Sequence, residues 1–217
     1  MKKPVPLLSR PVRRPTEPSV SKCDSSSSSM VQSQAACLEN ALGVPSDLVI
    51  KHVSDSICVV FLEPIVDGAA VRESLLKPLS KLEGDEILDA VSVGAKLPVA
   101  SVEQAPSLDD AVEGLLDGKV ALIVDGCVAP FLLDLRGRVV RQIEAPVSQP
   151  SVRGPRDSFN ERLYDNLALI RQRVRNRNLR VWETVVGSET RTRVAMCYLE
   201  GKASEDVVEV VKQRLLE

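Results

Sequence analysis

Two neighbouring β-rich runs constrain the fold more than any other feature of this sequence. DLVIKHVS (47–54) and ICVVFLE (57–63) are dense in Val and Ile and are separated by a short polar break. Such runs read as a hairpin whose strands are substantially buried. A buried sheet needs covering layers. Aromatic residues make up only 3% of the chain while apolar residues make up 44%, so those layers must be built from Val, Leu, Ile and Ala. A length of 217 residues suffices for one ordinary domain or two small ones.

Helical patterns supply the covering layers. VQSQAACLENALG places Val31, Ala35, Leu38 and Leu42 at helical spacing, with Gly43 as a stop. DGAAVRESLLKPLSKL is a second helix, capped by Asp67 and bent or ended by Pro78. A short extended segment follows at 97–102. SLDDAVEGLLDG is a third helix, with Ser107 as N-cap, Asp110 three residues on, and Gly118 at its end. KVALIVDGCVAPFLLDLRGRVVRQIE then predicts a three-strand meander with turns at Asp125-Gly126 and Arg136-Gly137. After a Pro-rich linker near 145–155 come a helix, the strands LRVWETVVG and TRTRVAMCYLEG around Gly187-Ser188, and a closing helix after Ser204. Strands and helices are mixed throughout, which predicts an α/β (α+β) fold with mixed sheets. The expected organisation is a disordered basic, Ser-rich tail over 1–29, a first α/β subdomain over 30–147, and a second over 148–217. The pattern stops within the last helix, which suggests a longer protein.

Signs of catalysis are nearly absent. The sequence has no G-x-x-x-x-G-K-[ST] loop, no G-x-G-x-x-G and no G-x-S-x-G elbow. His52, the sole histidine, falls in a strand run. The five cysteines lack metal-ligand spacing and read as free thiols of a reducing compartment. Neither a metal nor a cofactor is expected, and no enzyme activity. No apolar run is long enough to cross a bilayer, so the chain as given is expected to be soluble. A net charge of −2 argues against a general nucleic-acid binder.

Charge is nevertheless concentrated locally. Arg171, Arg173, Arg175, Arg177 and Arg180 fall within ten residues. Phe159, Leu163, Leu167, Ile170 and Val174 are spaced as one helix face, which places the arginines on the other sides. Three readings follow: a solvated or ion-paired face, a surface for a protein partner or acidic lipid, or a nucleic-acid grip over Arg171–Arg180. Few aromatic residues lie nearby to stack on bases, which disfavours the last.

The same stretch carries a family resemblance. Glu144, Gly154-Pro155-Arg156-Asp157, Phe159, Glu161, Asn166, Leu169-Ile170-Arg171, Arg173, Val174, Gly187 and Thr190 are similar to the signature of the A-subunit family of GerA-type spore germinant receptors, and VAMCYLEG matches its strand before the closing helix. Ser158 stands where the family usually has Gly, and Asn160 where it has an apolar residue. Both departures point to a divergent branch, with room for related sporulation membrane proteins.

The resemblance implies a soluble N-terminal domain of two small α/β subdomains, followed by a membrane region missing here. It implies a place in the spore inner membrane, with B and C subunits as partners and a ring-like homo-oligomer forming a nutrient-gated ion channel; the free thiols, rather than the resemblance, lean this domain toward the core side. The domain would then transmit the signal, and a nutrient germinant held in the cleft between subdomains is the alternative. Gly154, Pro155, Arg156, Glu161, Asn166, Arg171, Arg173 and Arg175 are the structural or interface candidates it singles out.

Overall fold

The computed structural model describes residues 30–81, 101–136 and 158–216. Its first helix, α1 (Met30–Leu42), turns Val31, Ala35, Leu38 and Leu42 inward, as the spacing requires. Gln34 is buried beside them. Its Nε2 donates to the carbonyls of Cys127 and Val128, at 2.9 and 3.1 Å, and so ties the helix to a distant turn. The helix ends where Gly43 enters the left-handed region at φ 69°. Val44 follows at φ 52°, a strained setting for a β-branched residue.

The expected hairpin forms. Strand β1 (Leu48–Ser54) pairs antiparallel with β2 (Ile57–Leu62), from Leu48 opposite Leu62 to Ser54 opposite Ile57. With β3 (Val102–Gln104), β4 (Val120–Val124) and β5 (Phe131–Leu133) they form a five-stranded sheet in the order β1-β2-β4-β5-β3, antiparallel throughout. Every residue of β2 and β4 is buried. Both faces of the sheet centre are therefore covered, which explains the unbroken apolar runs. The expected third meander strand, 139–144, lies outside the described residues, as do 97–100. The strand beside β5 is instead the earlier β3, reached by a crossover.

Helix α2 (68–79) starts at Asp67, whose side chain accepts from the amides of Ala69 and Ala70, both at 3.0 Å. Its middle is a wide π-helical stretch, Val71–Leu76, and it ends at Leu79, one residue after Pro78. Helix α3 (Leu108–Leu116) is capped by the Ser107 hydroxyl, which accepts from the Asp110 amide at 3.1 Å. Gly114 lets it lie close to the sheet: a Cβ there would meet the Leu132 side chain at 2.7 Å. Helices α1, α2 and α3 bury their apolar residues in one core with the sheet.

The C-terminal stretch builds a second, smaller unit. Helix α4 (Leu163–Arg173) precedes a two-stranded sheet of β6 (Leu179–Val186) and β7 (Thr192–Leu199), in register from Leu179–Leu199 to Val186–Thr192. Helix α5 (Glu205–Leu216) follows, with none of its residues buried. Its Lys212 ammonium sits 5.9 Å from the centre of the Trp182 ring.

Three expectations are corrected here. Phe159 is not on the helix face; it precedes α4 and is 67% exposed. The buried face of α4 is Leu167, Ala168 and Arg171, so Arg171 points inward rather than fanning outward with the other arginines. The thiols are not all free: Cys58, Cys127 and Cys197 are, but Cys37 is disulfide-bonded, which removes the thiol argument for a reducing compartment.

Candidate functional site: a buried ion pair, a charged cleft and an arginine clip

Helix α4 organises three features in succession. Near its C-terminal end, Arg171 reaches Asp47, which lies just before β1. The Arg171 Nε donates to Asp47 Oδ2 at 2.8 Å and Nη2 to Oδ1 at 2.7 Å. Both side chains are essentially out of solvent, at 1% and 0% exposure. A planar fork matched to a carboxylate is the geometry in which such a pair offsets its desolvation. The third nitrogen, Nη1, is buried with no hydrogen-bond partner.

Backbone bonds tie the same connector to β6. The Ser46 amide donates to the Val181 carbonyl at 2.8 Å, and the Glu183 amide to the Ser46 hydroxyl at 3.2 Å. Cys197, opposite Val181 on β7, lies within electrostatic reach of the pair. Burial pushes its thiol up, and the neighbouring Asp47 charge pushes it the same way.

A cleft opens at the other end of α4. It encloses about 810 Å³ between Glu63, Asp67 and Arg136 on the sheet unit and Arg162, Tyr164 and Asp165 on the α4 unit. Arg136 is held by Asp134 through a forked contact, at 2.9 and 2.6 Å, which keeps the Asp134 carboxyl below its usual range. Arg193 donates to the Tyr164 hydroxyl and to Glu183, both at 2.7 Å, and its guanidinium lies 4.9 Å from the Tyr164 ring centre. Burial raises the Tyr164 hydroxyl pKa against the opposing pull of Arg193. Among the described residues, neither Arg162 nor Glu63 forms an ion pair through its side chain. The cleft therefore offers a cation and an anion from opposite walls.

Beyond the C-terminus of α4, the loop into β6 grips α3. Asp109, Glu113 and Asp117 recur every four residues and share one stripe of that helix and its end. Arg177 bonds Asp109 at 3.0 Å and Glu113 at 3.2 Å, and Arg175 bonds Asp117 at 2.9 Å. Arg180 donates to the Leu42 carbonyl at the end of α1 and pairs with Glu200. The Arg175 and Arg177 pairs are exposed or half-exposed, unlike the Asp47 pair, while the Arg180 side chain is largely buried.

The residues singled out by sequence are thus dispersed over several settings. Gly154, Pro155 and Arg156 lie outside the described residues. Glu161 is exposed in the segment before α4. Asn166 shapes that segment: its Oδ1 accepts from the Asn160 amide and its Nδ2 donates to the Asn160 carbonyl, both at 2.8 Å. Arg171 is the buried fork, Arg175 belongs to the clip, and Arg173 is exposed at the end of α4. Asp47, Glu63, Arg162 and the acidic stripe of α3 were not singled out. The four-residue spacing of the stripe was the signal available for it. Among the described residues no group of three or more His, Cys, Asp or Glu side chains is placed to hold a metal ion. No helix among them is long and apolar enough to cross a membrane.

Comparison with known proteins places this arrangement. Residues 36–217 match the family model described as Bacillus/Clostridium GerA spore germination protein. The chain is 38% identical over 181 residues to stage V sporulation protein AF of Bacillus subtilis (strain 168), covering 80% of this chain and 36% of that protein. It is 31% identical over 182 residues to spore germination protein KA of the same strain, covering 80% and 34%. It thus spans about a third of the length of these relatives. Among solved structures it resembles the N-terminal domain of the A subunit of the Bacillus megaterium spore germinant receptor GerK3, with a TM-score of 0.64 and 26% identity, over 87% of this chain and 71% of that one. A match that runs from within α1 to the last residue leaves one conclusion: the chain belongs to the GerA family of spore germination proteins.

Proposed function

We propose that this chain is the N-terminal module of a spore germinant receptor A subunit, and that it relays a nutrient signal rather than performing chemistry. The observation that carries the reading is the match to the GerK3 A-subunit domain across 87% of the chain. In this reading the first subdomain spans 30–147 and the second 148–217. Segments of the protein beyond this region lie in the spore inner membrane. B and C subunits and further copies of the A subunit assemble with it into a gated ion pathway. Rotation of one subdomain against the other passes along α5 as a shift between closed and open populations.

The test is germination of spores bearing charge-reversed Arg173 and Arg175, followed as the fall in optical density after nutrient addition. Slowed germination with normal folding of the isolated chain is expected. Normal germination would reduce these side chains to ordinary surface.

A second reading is favoured by the cleft. Arg162 on one wall and Glu63 on the other suit the carboxylate and ammonium of an amino-acid zwitterion. In that case the module holds the germinant itself. Calorimetric titration of the chain with amino acids and sugars decides: micromolar binding abolished by Arg162→Ala supports it, and no heat up to millimolar ligand removes it.

A further inference from the structure

Beside the packing of α4 on the Glu63–Ile65 turn, charge and hydrogen bonds join the two units. Among the described residues, Ala168 is the only side chain after residue 158 that joins the main core cluster. The other attachments are the packing of α4 against the Glu63–Ile65 turn, the Asp47–Arg171 fork, the Ser46 bonds to β6, and the arginine contacts to α3 and to the end of α1. A polar seam of this kind permits relative motion where a broad apolar one would forbid it.

The attachments also differ in strength by position. The fork is dry and bidentate, and screening by salt reaches it little. Arg175 and Arg177 make exposed pairs, which salt weakens. The two kinds are ordered along α4. Tyr164 and Asp165, in the first turn, line the cleft; Arg171 is roughly 10 Å further along the axis at 1.5 Å per residue; the clip begins just past the helix end. The small Ala168 side chain between them leaves little to interlock.

We propose that α4 is a lever. It pivots on the Asp47–Arg171 fork, and the Arg175/Arg177 clip on the acidic stripe of α3 is the releasable latch that sets its angle. Releasing the latch tilts the β6–β7 unit and changes the width of the cleft at the opposite end, while the pivot stays closed. This deepens the signal-relay reading above and assigns its moving parts. It does not require that the cleft hold a ligand.

Two amides report the pivot directly, because the Ser46 and Glu183 N–H bonds exist only while the units are docked. The experiment uses the 217-residue chain, with the relative orientation of the two units measured by residual dipolar couplings and amide exchange measured at Ser46. Arg177→Glu, or high salt on the unaltered chain, is expected to change the orientation. Exchange at the α3-facing loop should quicken roughly tenfold, the range that a few exposed pairs supply, while Ser46 stays protected. Combining Arg177→Glu with Asp109→Lys and Glu113→Lys should restore the original orientation. An orientation unmoved by Arg177→Glu would overturn the latch. Loss of Ser46 protection together with the clip would overturn the pivot, since the unit would then be undocking as a whole. Both failures are read on the isolated chain, and they leave the germination test of the receptor reading untouched.

Discussion

At the scale of single residues, Arg171 and Asp47 carry the largest stake. Each is stranded without the other, because a lone charge in that setting has neither water nor a counter-ion. Arg171→Met should lower stability by about 3–5 kcal/mol in urea unfolding, and Arg171→Met with Asp47→Leu should recover most of it. Full stability in the single variant would show that solvent reaches the site. Cys58 makes a second prediction. It is buried in β2, and burial pushes its thiol from 9.0 up to about 11. The folded chain therefore keeps a proton that the unfolded chain gives up. Stability is unaffected below pH 9 and falls as pH climbs from about 9 to about 11. Unfolding midpoints measured across that window should show a steeper alkaline decline than in Cys58→Ala. Equal slopes would mean the thiol ionises freely in the fold.

At the scale of elements, local sequence rules worked where the fold needs only local reasons. The spacing of Val31, Ala35, Leu38 and Leu42 was enough for α1, and the polar break after Ser54 for the first hairpin. Ser107 was legible as a cap because a hydroxyl followed by Asp110 is a local device. Ser107→Ala should cost about 1 kcal/mol, seen as a lower thermal midpoint with α3 amides exchanging faster; a neutral result would mean that tertiary packing alone fixes the start of α3. Helix α4 was misread for a physical reason. Periodicity counts apolar residues, so an inward arginine is invisible to it. The Asp47 partner lies 124 residues away, where no local rule reaches. The true start of α4 was also hidden, because it depends on the Asn160–Asn166 exchange rather than on hydrophobicity. The resemblance pointed to a cleft between subdomains, but its lining residues were not legible, because its walls come from turns and helix ends far apart in the chain.

At the scale of the whole molecule, the pattern is a well-packed sheet unit with a lighter hairpin unit pinned to it. Most of the buried apolar residues lie in the first, so it is expected to open last and the second first. Ala168→Leu tests that division. The added bulk enters the seam where one methyl is buried and should cost about 1–3 kcal/mol. Exchange should rise in β6 and β7 while β2 and β4 remain protected. Uniform loss of protection in both units would show one cooperative body instead. Signature and docking meet at Arg171, whose fork onto Asp47 joins the lighter unit to the heavier one.

The exposed, charged character of the Arg175/Arg177 clip has a thermal consequence. Opening those exposed pairs, while the dry fork stays closed, uncovers little hydrocarbon, so the step carries little heat-capacity change. Its equilibrium then lacks the curvature that makes unfolding so sensitive to warming and cooling. A latch built on such pairs keeps nearly the same set point in a cold environment and a warm one, and it answers to ions more than to temperature.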